Sequence, residues 1–278
     1  MSEFWKRTLS GAVYVGVVVG SILYHELLFA GLSMALAMFA VRESNRLLRP
    51  HRMLDLFSEF GAVLMIAAVI SKLHGLPIFN ALTILYILLM VMAMVMELWN
   101  RTDNPLAGWG QLLCTQIMIA LPFAMMNVLN HLSPYLLLAV FVLIWVNDSG
   151  AYCVGMLTSK MPQGNHKMFP RVSPKKSWEG LFGGLACTIG AAFILNRFGW
   201  FDRITVEGYE LLIAGAFAFI VSAFGTLGDL MESLFKRALG VKDSGRFLPG
   251  HGGILDRFDS ILLAAPMALL FVLVMIAC

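Results

Sequence analysis

Residues 258–277, FDSILLAAPMALLFVLVMIA, decide the fold class of this protein. They contain one charged residue, Asp259, in a stretch long enough to cross a bilayer, because a spanning helix needs about 20 apolar residues. Of all 278 residues, 59% are hydrophobic and 13% are charged, and the mean hydropathy is +0.79. An ordinary soluble domain has roughly 45–50% apolar and 25% charged residues. The composition therefore excludes soluble globular, disordered and disulfide-stapled secreted classes and predicts a membrane protein with several spans.

Eight further apolar stretches precede this one, and we predict an all-α bundle of about nine transmembrane helices. His25 and Glu26 separate the first two stretches, because a tight hairpin there avoids a glutamate at mid-bilayer. The third stretch is short, which leaves three alternatives: a tilted span, a re-entrant segment, or a span extended into its flanks. The predicted spans are residues 8–24, 26–41, 60–71, 80–97, 109–128, 135–157, 178–196, 209–228 and 258–277.

The basic residues predict the orientation of these spans. With the N-terminus in the cytoplasm and the C-terminus outside, 17 of the 20 Lys and Arg fall in cytoplasmic segments. The other three, Lys72, Arg197 and Arg203, fall in outer segments. This asymmetry is what the positive-inside rule predicts.

The polar features lie mostly in the second half of the chain. We divide it into N-terminal transmembrane helices, residues 1–134 with spans 1–5, and a C-terminal catalytic region, residues 135–278 with spans 6–9. Two cytoplasmic stretches, 158–177 and 229–257, are too long and too polar for simple turns. We expect the chemistry of the protein to reside there.

The stretch that begins at Asp229 has the pattern of a metal site. Asp229, Glu232, Ser233 and Lys236 are spaced at i, i+3, i+4 and i+7, which places them on one face of a helix. Two carboxylates one turn apart suit a hard divalent cation, which prefers oxygen ligands. The lysine could meet a phosphate that the same cation holds.

A glycine-rich segment follows and leads into the last span. Gly252 and Gly253 directly follow His251. A glycine-rich backbone can turn several N–H groups toward one anion. His251 fits either a phosphate contact or a structural role. Asp256 and Asp259 stand one turn apart where the span begins. This segment is therefore a candidate phosphate and metal site.

Other polar residues lie within spans or at their ends. Asp148 lies about ten residues inside the sixth span, and an acid within the membrane is costly enough to indicate function. His25, His74 and His131 fall at span ends, where polar-tipped rings are common, and we expect ordinary structural histidines there.

Three segments of the C-terminal half resemble one enzyme family. Residues 233–237 (SLFKR), 242–245 (KDSG) and 248–259 (LPGHGGILDRFD) resemble the signature of phosphatidate cytidylyltransferases, also called CDP-diacylglycerol synthases. Residues 148–152 (DSGAY) and 173–180 (SPKKSWEG) are similar to other parts of the same family. The resemblance covers residues 140–278.

The resemblance implies that CTP and phosphatidic acid react to give CDP-diacylglycerol and pyrophosphate for phospholipid synthesis. It implies Mg²⁺ held by Asp229 and Asp256, with Glu232 and Asp259 as further ligands and a second ion left open. Asp148 and Lys236 are catalytic candidates beside Asp229 and Asp256. The candidates for substrate binding are Ser173, Lys175, Lys176, Arg237, Lys242, His251, Gly252, Gly253 and Arg257.

The same resemblance implies a location and a set of partners. We expect a bacterial inner-membrane protein whose active site faces the cytoplasm, with CTP, phosphatidic acid and membrane lipids as partners. No nucleic acid is expected, and a homodimer is left open. Two alternatives stay beside this interpretation: a CTP-dependent polyprenol or lipid kinase, and an ion-coupled transporter with Asp148 and Asp229 as ion sites.

Overall fold

The computed structural model describes residues 3–48, 52–99, 104–162, 164–245 and 252–277. The candidate His251 lies outside the described residues, as do Arg49, Arg101 and Arg246, three of the basic residues used to predict orientation. The helices are α1 (Glu3–Tyr24), α2 (Glu26–Leu48), α3 (Arg52–Leu73), α4 (Phe79–Met96), α5 (Pro105–Thr115), α6 (Leu121–Leu132), α7 (Pro134–Ser159), α8 (Trp178–Arg197), α9 (Glu210–Ala238), α10 (Leu255–Phe258) and α11 (Ile261–Ala277). Two strands, β1 (Lys167–Phe169) and β2 (Ser173–Ser177), complete the fold.

The all-α prediction is confirmed, and each predicted span is largely helical, with a turn at residues 259–260 of the last one. Within the described ranges, eight helical segments are long and apolar enough to cross a membrane, and the apolar part of α1, Leu9–Tyr24, is shorter. The third span extends into its flanks, one of the three alternatives, because α3 has 22 residues. Large apolar side chains such as Ile84, Leu88 and Met92 on α4 are about half exposed, which only a lipid surrounding makes favourable. The protein is an integral membrane protein.

A π-helical turn, Gln116–Ala120, joins α5 to α6, so that one segment of 28 residues forms the fifth span. Pro122 follows this turn. A proline lacks the N–H for the helical ladder, and its ring crowds the carbonyl four residues earlier. We attribute the widened turn to this proline, because such bulges occur where the regular ladder is interrupted.

The helices form two compact units. The first comprises Met1–His131 and Asp243–Phe258, and the second comprises Leu132–Lys242 and Asp259–Cys278. The predicted division into N-terminal helices, residues 1–134, and a catalytic region, residues 135–278, stays a prediction.

Buried polar side chains join the helices of the first unit. Asn45 on α2 donates to Ser58 Oγ on α3 at 2.9 Å and accepts from Gln111 Nε2 on α5 at 2.8 Å. Asn127 on α6 donates to Ser33 Oγ on α2 at 2.8 Å. Hydrogen bonds of this kind hold helices together in lipid, where the hydrophobic effect does not.

Close backbone approach joins α7 to α8 in the second unit. A Cβ at Gly180 would lie 2.9 Å from the carbonyl oxygen of Ala151, and one at Gly184 would lie 2.8 Å from that of Asn147. The two glycines are four residues apart, the small-xxx-small spacing that lets membrane helices pack closely. This packing fixes the part of α7 that carries Asp148.

A short antiparallel hairpin of β1 and β2 stands between α7 and α8. The sequence analysis missed it, because strands of three and five residues are too short to show a two-residue period. Ser177 ends β2 and caps α8, accepting a hydrogen bond from the Gly180 N–H at 3.1 Å.

Candidate functional site

The polar face predicted at the end of α9 is confirmed. Ser233 Oγ donates to Asp229 Oδ1 at 3.3 Å, and Lys236 forms an ion pair with Glu232, also four residues apart. Glu232 is buried, with 8% of its surface exposed, so the lysine neutralises an acid that lies away from water. Glu232, which the sequence predicts as a further metal ligand, is therefore paired with a lysine in this structure.

The hairpin brings a second lysine to this face. Lys176 Nζ lies 2.8 Å from Asp229 Oδ2 and donates to the Thr226 carbonyl oxygen at 3.4 Å. Its neighbour Lys175 is exposed. Successive side chains of a strand point to opposite sides, so only one of two adjacent lysines can meet α9. The structure therefore separates two residues that the sequence analysis had assigned the same role.

Two further acids of the second unit gather around Asp229. Asp148 on α7 and Asp259 at the start of the last span both lie near enough to Asp229 for their negative charges to interact. Lys176 interacts favourably with Asp148, and Lys236 interacts favourably with Asp259. We call Asp148, Asp229 and Asp259 the aspartate cluster. The sequence analysis proposed each residue separately, and the structure brings the three together.

Gly228 allows the last span to approach α9 at this point. A Cβ on Gly228 would lie 2.6 Å from the Asp259 carbonyl oxygen and 3.0 Å from that of Ser260, both too close for a side chain. The glycine directly before Asp229 therefore lets the backbone of Asp259 reach it. A single methyl group at this position would push the two acids apart.

Hydrogen bonds also hold α7 against α9 beside the aspartate cluster. Asn147 is buried, accepts from Ser222 Oγ at 2.6 Å and donates to Thr226 Oγ1 at 3.3 Å. Because Asn147 precedes Asp148, these bonds set the position of the acid on α7. The cluster draws on α7, α9 and the turn between α10 and α11, rather than on one motif.

The donor set of the cluster fits a hard divalent cation. Its potential ligands are all carboxylate oxygens, the type that Mg²⁺ prefers. Three carboxyl groups held near one another favour a cation beside them, because a positive charge reduces their mutual repulsion. Asp148, Asp229 and Asp259 are the candidates for holding a metal here, and this assignment stays a prediction.

The glycine-rich segment belongs to the first unit, where Asp256 orders it. Asp256 Oδ2 accepts the backbone N–H of Ser244 at 2.9 Å and that of Gly253 at 2.8 Å. Gly252 has a φ of +83°, which a residue with a Cβ rarely adopts. Asp229 lies in the second unit, so the predicted pairing of Asp256 with Asp229 stays a prediction.

Glu43 contacts this segment and was not among the residues predicted from the sequence. It lies on α2, is 8% exposed, and its Oε2 accepts from Ser244 Oγ at 3.3 Å and from the Leu255 N–H at 3.0 Å. Its only signal in the sequence is an acid next to a run of apolar residues.

The other substrate-binding candidates have separate surroundings. The Arg237 guanidinium donates to the carbonyl oxygens of Val172 at 3.4 Å and Val241 at 3.2 Å, which ties the end of α9 to the hairpin. Lys242 and Arg257 are exposed, and Ser173 on β2 is half-buried. Their assignment to substrate stays a prediction.

Comparison with known proteins gives the family. The cytidylyltransferase family model matches residues 5–275, nearly the whole chain. A protein of Staphylococcus epidermidis named phosphatidate cytidylyltransferase is 46% identical over 133 residues, which cover 48% of this chain and 46% of that protein. Proteins of the same name from Staphylococcus saprophyticus and Staphylococcus aureus are 47% identical over 133 residues (48% of this chain, 46% of that protein) and 44% identical over 131 residues (47% and 46%).

The matched region thus spans about half the length of these curated relatives. The resemblance seen in residues 140–278 agrees with the family found over the full chain. This chain belongs to the cytidylyltransferase family.

Proposed function

We propose that this protein transfers the cytidylyl group of CTP to phosphatidic acid and releases pyrophosphate. Three relatives carry the name phosphatidate cytidylyltransferase, and the family model covers the chain. The observation that carries the proposal is the aspartate cluster with Lys176 on Asp229, because it supplies both metal-binding oxygens and a cation for phosphate.

The reaction needs positioning and charge neutralisation more than a protein nucleophile. A phosphate oxygen of phosphatidic acid attacks the α-phosphorus of CTP, the bond from that phosphorus to the β-phosphate oxygen breaks, and pyrophosphate leaves with the electron pair. The nucleophile is already ionised, so no serine or cysteine has to be activated. The barrier is the repulsion of two anions and the charge on the leaving group.

The residues take distinct parts in this proposal. Asp148, Asp229 and Asp259 would hold Mg²⁺, with Asp256 as a ligand that the family resemblance adds. A bound Mg²⁺ supplies charge neutralisation for the phosphates. Lys176 and Lys236 lie at the cluster and would bind phosphate oxygens.

We propose that the site faces the cytoplasm of a bacterial inner membrane. The distribution of basic residues supports this side, since 17 of 20 lie in segments predicted to be cytoplasmic. CTP is a cytosolic nucleotide, and phosphatidic acid would reach the site from the adjacent leaflet.

The test uses purified full-length protein, phosphatidic acid vesicles, Mg²⁺ and CTP labelled at either the α- or the γ-phosphate. Label from the α position is expected in the lipid product, and label from the γ position in pyrophosphate. Lipid labelled only from the γ position would identify a kinase and refute the proposal. Excess EDTA should stop the reaction and Mg²⁺ should restore it; a rate that EDTA leaves unchanged would refute the metal assignment.

A further inference from the structure

A second group of potential metal ligands lies in the first unit, far from Glu43. Glu26, His74 and His131 each offer one ligand atom, and these atoms all lie within 4.8 Å of one another. We call this group the histidine–glutamate cluster. Along α2, Glu26 is 17 residues from Glu43, which is about 25 Å at a rise of 1.5 Å per residue. The cluster is therefore separate from the residues that order the glycine-rich segment.

Three helix ends bring these residues together. Glu26 is the first residue of α2, His74 directly follows α3, and His131 is the next-to-last residue of α6. His25 has a different role, because its Nδ1 accepts the Leu27 N–H at 3.2 Å at the start of α2. His74 comes 48 positions after Glu26, and His131 comes 57 positions after His74. The three residues therefore meet only through packing.

The carboxylate of Glu26 meets both rings, through a hydrogen bond to His131 and a wider contact to His74. Glu26 Oε2 lies 2.9 Å from His131 Nδ1 and 3.5 Å from His74 Nε2, so two ring nitrogens face one oxygen. The longer distance exceeds that of an ordinary N–H···O hydrogen bond, which spans about 2.7–3.2 Å. Tetrahedral ligands about 2.0–2.1 Å from a zinc ion are separated by about 3.3–3.4 Å, a value between the two observed distances.

The cluster is open to water. The two rings meet edge to face, with centroids 5.6 Å apart and planes at 74°, so the ring faces do not stack. About a third of each histidine side chain and 41% of the Glu26 side chain are exposed, which leaves a path from water. Two imidazoles and one carboxylate with a fourth position open match the ligand set of zinc sites with three protein ligands.

We propose that Glu26, His74 and His131 bind a divalent transition-metal ion of the zinc type. Imidazole nitrogen favours such ions, whereas Mg²⁺ prefers oxygen ligands alone. The ion would join the ends of three helices in the first unit. By the predicted orientation this site lies on the outer side of the membrane.

The first test measures Zn²⁺ binding to metal-stripped, full-length protein purified with a tag that contains no histidine. Wild type is expected to bind one Zn²⁺ at this site. The substitutions His74→Gln and His131→Gln should each weaken Zn²⁺ binding by at least about 10- to 100-fold. Losing a residue that only hydrogen-bonds to a metal ligand already weakens metal binding by about this much. The control is His166→Gln, since His166 pairs with Glu179 at 2.6 Å outside this cluster.

Two further measurements keep the result decisive if a variant folds poorly. Co²⁺ added to wild type should give the intense visible spectrum of a four-coordinate ion, and Zn²⁺ should displace it. Zn²⁺ should raise the thermal midpoint of wild type and of Asp229→Asn, because a ligand that binds only the folded state stabilises it. Absence of Zn²⁺ binding, equal binding in wild type and the His74 variant, or a six-coordinate Co²⁺ spectrum would overturn the proposal.

Discussion

The aspartate cluster of the second unit and the histidine–glutamate cluster of the first are made of different donors. The first offers carboxylate oxygens with two lysines nearby, and the second offers two ring nitrogens and one carboxylate. Oxygen donors favour Mg²⁺, and imidazole favours zinc-type ions. If both proposals hold, one chain selects two metals by ligand type, and each can be removed without the other.

Asp229→Asn should have the largest effect on catalysis. The variant keeps the shape of the side chain and removes the charge at the centre of the aspartate cluster. We expect cytidylyl transfer to fall by about 10²- to 10³-fold, the usual cost of losing one preorganised electrostatic group. The initial rate of labelled CDP-diacylglycerol formation measures this, with Asp202→Asn, an exposed acid of the same unit, as the control.

An Asp229 variant of normal rate would remove this residue from the proposed metal site. Its Zn²⁺ binding should equal that of wild type, because the histidine–glutamate cluster contains no residue of the second unit. Joint loss of activity and Zn²⁺ binding would contradict the separation of the two clusters.

Lys176→Met and Lys175→Met should differ in effect, although the two lysines are adjacent. Lys176 contacts Asp229 at 2.8 Å, whereas Lys175 is exposed. We expect a loss of about 10- to 100-fold for Lys176→Met, since a hydrogen bond to a charged group contributes roughly 1.5–3 kcal/mol. Rates over a range of CTP concentrations measure the effect, and an equal or larger loss in Lys175→Met would contradict the assignment.

Gly228→Ala should reduce stability and activity together. Its Cβ would lie 2.6 Å from the Asp259 carbonyl oxygen, which is backbone and cannot move aside alone. We expect a destabilisation of about 1–3 kcal/mol, typical of overpacking. Thermal unfolding in detergent measures it.

Gly215→Ala is the matched control on the same helix. Its Cβ would meet Phe193 at 3.6 Å, an ordinary contact. Alanine favours a helix over glycine by roughly 1 kcal/mol, so this variant should be neutral or more stable. A Gly228 variant as stable as the Gly215 variant would show that the close approach is not required.

His74→Gln should have the smallest effect on catalysis. The residue is on the first unit at the end of α3, and its proposed role is metal binding alone. We expect a rate of cytidylyl transfer equal to that of wild type under conditions where Zn²⁺ binding is lost. A fall in rate as large as that of Lys176→Met would connect this cluster to catalysis and contradict its independence.

Local patterns predicted much of this protein. The apolar stretches predicted the helices, because each span contains its own signal, and the i, i+3, i+4, i+7 spacing predicted the polar face of α9. The β1–β2 hairpin was missed, because its strands are too short to show a two-residue period. The extension of α3 stayed one of three alternatives, because its first turns contain polar residues such as Asp55 and Ser58.

The amino-acid sequence alone determined the membrane class, the helices and the family, since hydrophobic length and short motifs are local properties. Only tertiary structure decided which residues meet. Packing places Lys176, and not Lys175, against Asp229, and it brings Asp148 and Asp259 near Asp229. It also brings Glu43 to the glycine-rich segment and Glu26 to His74 and His131. Each of these contacts joins residues that are far apart in the chain. Such contacts depend on how side chains of different segments fit together, which no single segment of the sequence specifies.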